Sequence, residues 1–371
     1  MTLHPDGTFD LTHRRSGRAY RGLGVLEDGE DVGDEYDHSP AAEPLTVSSR
    51  GAGGAVRVAE DTGLAGALEA SFTLRLPAAI EPDRARRSKA LVDCPVAARV
   101  RLTRGSPVVD VEVRLENRAC DHRLRALFPT GIAAPTVLSD GHFLVNERPV
   151  DAVPHPEWLQ PPVGTVPQQE FSAVEDGSRG LAVFAQGLPE VEPVRAADGT
   201  VALALTLLRC VGWLSRDDFP TRRRMNAGPT IPTPDAQCQG PHAFRLAVLP
   251  YEGAWSSAGV KRASRLWRTP VLAVQGVSDL HAPGAWLLEA PGDPLCVTAV
   301  KKHEERDTLV VRLVNLGDRR ETATLTIGRD VAGAWRTDLL EERREALVAA
   351  GREVAVAVGP REIATVEIAF A

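Results

Sequence analysis

From Val109 to Glu116 the chain alternates without a break: Val109, Val111, Val113 and Leu115 are apolar, and Asp110, Glu112, Arg114 and Glu116 are charged. Successive side chains of a β-strand point to opposite faces, so this run predicts a strand with one face in a core and the other in water. Similar runs recur at Ser71–Leu76, Ala97–Leu102, Gly180–Phe184, Val201–Leu208 and Ala243–Val248, bounded by Gly, Pro, Asn or Asp. Many short strands separated by turn residues predict an all-β sandwich or barrel. Helical spacing is nearly absent. The best candidate is Ala254–Trp267, with Trp255, Val260, Ala263 and Trp267 on one side, and it must stop before Thr269-Pro270.

Beyond Gln275 the pattern changes, passing through Ser278 to Gly284 into a second set of alternating runs: Leu295–Val300, Thr308–Asn315, Glu321–Ile327, Val354–Val358 and Ile363–Ala369. Five strands in so short a span suit a small β-sandwich. The predicted organisation is a large all-β domain over 1–277 and a small one over 278–371.

A formal net charge of -7 is the wrong sign for a face that tracks phosphates, so nucleic acid is not an expected partner. The five cysteines are scattered and include no C-x-x-C pair, which predicts reduced thiols and a cytoplasmic setting. No apolar run approaches the roughly 18 residues that span a bilayer, and the N-terminus lacks a secretory pattern, so no membrane is expected. Aromatic residues are only 5 % of the chain. That is sparse for a lectin offering ring platforms to pyranoses.

The densest polar stretch runs from Asp28 to Pro40 and holds Asp28, Glu30, Asp31, Asp34, Glu35, Tyr36, Asp37 and His38. Such a loop is costly unless it is solvated, metal-bound or facing a polyhydroxylated ligand, and its spacing does not fit an EF-hand. Arg209 leaves an otherwise apolar run, so it must pair with a carboxylate or point into a polar cavity. The Pro-rich segment 227–240 reads as a long ordered loop. The clusters Arg84 to Arg87 and Arg222 to Arg224 read as solvated loops. Asp121-His122 is a weak dyad, because neighbours in a strand face opposite ways. Nucleophile-elbow, P-loop, dinucleotide and H-E-x-x-H signatures are absent.

Several of these segments carry a resemblance. Asp6-Gly7-Thr8, Gly33 to Tyr36, Asp121 to Arg125 with Phe128-Pro129-Thr130, Gly187 to Glu190, Thr206 to Gly212, Ala227-Gly228-Pro229 and Thr233 to Cys238 occur in an order similar to the C-terminal half of glycoside hydrolase family 38. Leu309 to Asn315 and Asp338 to Glu341 resemble that family's terminal β-domain. The resemblance spans nearly the whole chain. It implies a galactose-mutarotase-like β-supersandwich followed by a small β-sandwich.

The resemblance also implies a role in retaining α-mannosidase-type hydrolysis, with an α-mannoside as ligand. The family's zinc and nucleophilic Asp belong to an N-terminal catalytic domain, and no run here resembles its metal motif. No cofactor and no catalytic residue is therefore expected in this chain, and an N-terminal catalytic half or a second copy is the expected protein partner. The substrate-lining residues carried over by motif are Tyr36 and Arg209, with Asp34 and Asp217 from the same loops. Two alternatives stay open: an independent carbohydrate-binding module, and a mutarotase-like sugar epimerase using an acid and a base from among His122, His142, His155 and His242.

Overall fold

The computed structural model describes residues 1–371 except 154, 159, 161, 224, 270, 273, 274, 276–285 and 290. The chain forms two compact units, Met1–Asp140 with Asn146–Ala254, and Gly141–Val145 with Trp255–Ala371. The boundary expected at 277/278 falls outside the described residues. Both units are built from strands, as the alternation predicts. The helix is shorter than expected, Val260–Arg268, and starts after Gly259, whose φ of 69° is a conformation glycine adopts without strain. Among the described residues no helix is long and apolar enough to cross a membrane.

The larger unit is a sandwich of two antiparallel sheets. One has six strands in the order Val166–Pro167, Glu190–Arg195, Val201–Cys210, His122–Ile132, Val25–Glu30 and Val47–Ser48. The other has nine and includes the long strands Ala65–Pro77, Leu91–Thr103, Val109–Asn117 and Gly240–Glu252. Their inner faces supply one core, in which Leu124, Ala126, Phe128, Leu203 and Leu205 from the first sheet meet Val100, Val111, Val113, Leu246 and Val248 from the second. The outer face of the nine-stranded sheet carries a cross-strand row of alternating sign: Arg57 opposite Glu69, Glu69 opposite Arg99, Arg99 opposite Glu112, and Glu112 opposite Arg245. Opposite charges directly across a ladder support the register.

The acidic stretch is where the sequence reading needs correction. It is not an exposed loop: Asp28, Glu30, Asp31 and Asp34 are each at most 4 % exposed. Nor are Arg87 and Arg222 solvated. Arg87 is buried against Asp28, Arg222 is buried against Asp34 and Asp37, and Arg84 donates to the Val32 carbonyl. Arg209 pairs with Asp31 at 2.8 Å, and Glu30 accepts backbone N–H groups of Ala41 and Leu45. Asp28, Asp31, Asp34 and Asp37 are thus each matched by an arginine from a distant part of the chain. Sequence proximity could not show those partners.

The smaller unit packs a four-stranded sheet on a five-stranded one around Leu313, Leu325, Val354, Val356, Val366 and Ile368. Glu367 lies between two core residues in sequence and therefore points out of the other face of its sheet, yet it is fully buried. Arg306, Arg343 and Thr308 cover it, with donors 2.7 to 2.9 Å away, and Arg343 also lies 3.5 Å over the Trp335 ring. Burial alone would raise its carboxyl pKa, but these hydrogen bonds outweigh it and hold the group far below its usual value.

Two outcomes follow for stability. Arg87→Ala leaves the buried Asp28 carboxylate without its guanidinium, with His122 as the remaining side-chain partner, and should destabilise the larger unit by about 3 kcal/mol in urea unfolding, whereas Arg344→Ala, at an exposed pair with Asp338, should cost no more than about 0.5 kcal/mol. Because the pKa of Glu367 is depressed on folding, its contribution is complete above the ordinary glutamate value of 4.5 and drains away as pH falls toward the folded-state value. Glu367→Gln should therefore lower the smaller unit's stability at pH 7 and flatten its decline in acid, as read from melting temperatures across pH 2 to about 7.

Candidate functional site: an ion-paired cleft on the six-stranded sheet

The side of the six-stranded sheet that faces away from the core holds a cleft of ≈ 410 Å³. That size suits a small saccharide. Period-2 geometry builds its floor: Leu124 and Ala126 point into the core, so Arg123 and Arg125 point into the cleft, and Glu190 and Glu192 flank the core residue Val191 in the same way. Register then brings these side chains together, with Arg125 opposite Glu27, and Arg123 opposite Gly29 on one side and Arg209 on the other. A Cβ added at Gly29 would meet nothing within 4 Å, so glycine leaves the floor open there.

The floor is a grid of charge-assisted hydrogen bonds. Arg123 donates to Glu190 at 3.0 Å, Glu192 at 3.2 Å and Thr206 Oγ1 at 3.0 Å. Arg125 bridges Glu192 at 2.7 Å and Glu27 at 3.3 Å. Thr206 donates to Glu190 at 2.6 Å. Such pairs are stronger than neutral hydrogen bonds and fix the planar groups in place. Farther along the same face the sheet is closed by Val25, Leu127 and Ala204.

One wall is the folded-up acidic loop: Tyr36, Asp37, His38 and Pro40. Asp34 organises it from behind. Its carboxylate accepts the backbone N–H groups of Tyr36 and Asp37 at 3.0 Å and of Arg216 at 2.8 Å, and it pairs with Arg222. Gly33 is required at this turn, because a Cβ there would sit 1.9 Å from the Asp37 carbonyl oxygen. Arg222 lies 6.0 Å over the Tyr36 ring, and Gly228 approaches so closely that an added Cβ would stand 2.9 Å from the Tyr36 hydroxyl. Ser215 holds the 227–228 backbone through two N–H groups. Tyr36 itself remains 52 % exposed, a ring presented by a rigid support. The opposite wall includes Pro162, Val163, Gly164 and Thr165.

The structure therefore brings Tyr36 and Arg209 to the cleft and places Asp34 and Asp217 elsewhere. Asp34 is fully buried as the loop's anchor, and Asp217 is exposed and outside the lining. Both sequence readings of Arg209 hold together: it pairs with Asp31, donates to the Asp34 carbonyl at 2.7 Å, and still lines the cleft. Residue-by-residue reading passed over Glu27, Arg123, Arg125, Glu190 and Glu192. Their signal is the charged i, i+2 pair flanking an apolar residue, present at Arg123-Leu124-Arg125 and Glu190-Val191-Glu192.

The histidines considered for acid and base chemistry are engaged elsewhere. His122 is fully buried, its ring nitrogens 2.5 Å from Asp28 Oδ2 and 3.1 Å from Asn117 Oδ1. His242 Nε2 lies 2.8 Å from the Cys238 carbonyl oxygen, and neither His142 nor His155 lines the cleft. His38 does line it. Burial pushes its pKa below the usual value despite the nearby Asp31 carboxylate, and its Nε2 faces the Glu30 carbonyl at 3.3 Å. Among the described residues no three His, Cys, Asp or Glu side chains are grouped to hold a metal ion. The cleft's carboxylates are already taken by arginines and amides, so this donor set does not fit a zinc centre.

A two-unit all-β chain with a sugar-sized polar cleft is the class that the fold and site define. The family profile described as "Glycosyl hydrolases family 38 C-terminal beta sandwich domain" matches residues 294–366. A putative mannosylglycerate hydrolase of Halalkalibacterium halodurans is 30 % identical over 385 residues, covering 98 % of this chain and 40 % of that protein. An α-mannosidase from Enterococcus faecalis V583 superposes with a TM-score of 0.84 at 25 % identity, over 99 % of this chain and 41 % of that one. A glycosyl hydrolase family 38 protein from Enterococcus faecalis shares the fold, with a TM-score of 0.83 at 24 % identity over 99 % of this chain and 42 % of its own. Residues 294–366 are of the C-terminal β-sandwich type of glycoside hydrolase family 38, and the chain as a whole is similar to members of that family. It spans 40 to 42 % of the length of these relatives.

The sign of the His38 shift makes a prediction. Below the ordinary histidine value of 6.5 the unfolded chain binds a proton that the folded loop resists, so the larger unit should lose stability as pH falls from about 7 to 5. His38→Asn should remove up to one proton's share of that slope, about 1.4 kcal/mol per pH unit, in urea unfolding at several pH values.

Proposed function

We propose that this chain is the substrate-lining β-portion of a retaining α-mannosidase-type glycosidase, with the nucleophile, the general acid and the zinc supplied by polypeptide other than residues 1–371. The observation that carries this reading is the state of the cleft's carboxylates. Glu27, Glu190 and Glu192 are bound by Arg123 and Arg125, Asp37 by Arg222, and Glu30 by backbone amides. A retaining mechanism needs two carboxyl groups about 5 Å apart, one free to attack the anomeric carbon and one free to protonate the leaving oxygen. Groups committed in this way are suited to binding and orienting hydroxyls instead.

In this role Tyr36 offers an apolar ring edge with a hydroxyl, and the Arg and Glu grid offers fixed donors and acceptors along one side of the sugar. The ligand is an α-mannoside, and the protein partner is a catalytic half or a second copy that completes the site. Likeness to a putative mannosylglycerate hydrolase and to an α-mannosidase, each over 40 to 41 % of its length, supports the division of labour. The five free cysteines support a reducing, cytoplasmic setting.

The purified chain, with and without added zinc, should release no 4-nitrophenol from 4-nitrophenyl α-mannopyranoside above the uncatalysed rate, while binding methyl α-mannopyranoside no more tightly than millimolar. Robust turnover by the chain alone would overturn the proposal. Micromolar binding would instead favour an independent carbohydrate-binding module.

A further inference from the structure

We infer that the cleft selects by charge: it accepts the uncharged or amine-bearing part of a glycoside and rejects an anionic part. This rests on the reading of the cleft as a sugar site and adds the class of group that site tolerates. Five carboxylates line it, Glu27, Glu30, Asp37, Glu190 and Glu192, against three guanidiniums, Arg123, Arg125 and Arg209. Immediately behind the lining, Asp31 on Arg209 and Asp34 on Arg222 outnumber the one guanidinium of Arg222, so the excess of negative charge stays in place.

Each guanidinium is also already paired with a carboxylate. Arg123 uses all three of its nitrogens on Glu190, Glu192 and Thr206, Arg125 spans Glu192 and Glu27, and Arg209 is spent on Asp31 and on the carbonyls of Asp34 and Glu35. An incoming carboxylate would meet carboxylates already paired with these guanidiniums, in surroundings of lowered dielectric where repulsion is little screened. Hydroxyls face no such barrier, since bound carboxylates keep spare lone pairs. A neutral group is already missing a partner there: the Thr221 hydroxyl lines the cleft, and its oxygen is buried without a hydrogen bond. A sugar hydroxyl would satisfy it.

The consequence separates the names of two relatives. In a mannosylglycerate the mannosyl group is neutral and the glyceryl group carries a carboxylate. Only the former suits this cleft, so a glycerate end would be held by other residues.

The test titrates the full-length chain at pH 7, by calorimetry and by NMR shifts of cleft amides, with methyl α-D-mannopyranoside, its 2-amino-2-deoxy analogue and mannosylglycerate. The inference expects the neutral and amino sugars to bind at least about tenfold more tightly than the acid through the cleft amides. Added salt should narrow that gap, because it screens the repulsion. Glu192→Gln and, separately, Glu27→Gln should raise the ratio of mannosylglycerate affinity to neutral-sugar affinity by about threefold or more. The salt series needs no variant, so it still decides if a substitution unfolds the chain. Mannosylglycerate binding in the cleft as tightly as the neutral sugar, with affinity falling as salt rises, would overturn the charge inference and leave the sugar-site reading standing. Absence of cleft shifts with all three ligands would overturn both.

Discussion

The larger unit depends on the pairing of one short acidic stretch with cations drawn from three distant places in the chain. Asp28, Asp31 and Asp34 are all buried, and Arg87, Arg209 and Arg222 reach them there to match their charge. A buried carboxylate without a partner is costly by several kcal/mol, so these pairs act as constraints more than as a source of net stability. They dictate that the 28–40 segment, the 84–87 segment, the end of the Val201–Cys210 strand and the 222 region converge. The Tyr36 wall of the cleft is the product of that convergence.

Rigidity at the cleft follows from the same pairing. Asp34 gathers three backbone amides and a guanidinium, so the loop that presents Tyr36 and Asp37 has few alternative conformations. The floor is equally fixed, because each guanidinium spans two strands or a strand and a loop. A site held in this way orders its own polar groups before a ligand arrives, which lowers the ordering cost of binding. The same commitment leaves its carboxylates poorly placed for bond-making chemistry, and this shapes the functional reading given to the chain.

The smaller unit repeats the theme once, on the outer face of its five-stranded sheet, where Glu367 is covered by Arg306 and Arg343. There too an acid alternating with core residues in sequence would be read as a solvated side chain. In both units, burial of a charge was decided by which arginine folds over it, a property of register and loop path.

Local patterning was enough to predict the strands and the predominance of β-structure among the described residues, because side-chain alternation is a property of each segment by itself. The motif order was enough for the likeness to family 38 and for pairing Tyr36 with Arg209, which the structure places in one cleft. Only the tertiary structure decided that Asp34 is an anchor, that Arg87 and Arg222 pair with Asp28 and Asp34 in the interior, and that Glu27, Arg123, Arg125, Glu190 and Glu192 form one surface. The reason is physical: those residues lie up to about 165 positions apart, and cross-strand register, which no single segment encodes, is what sets them side by side.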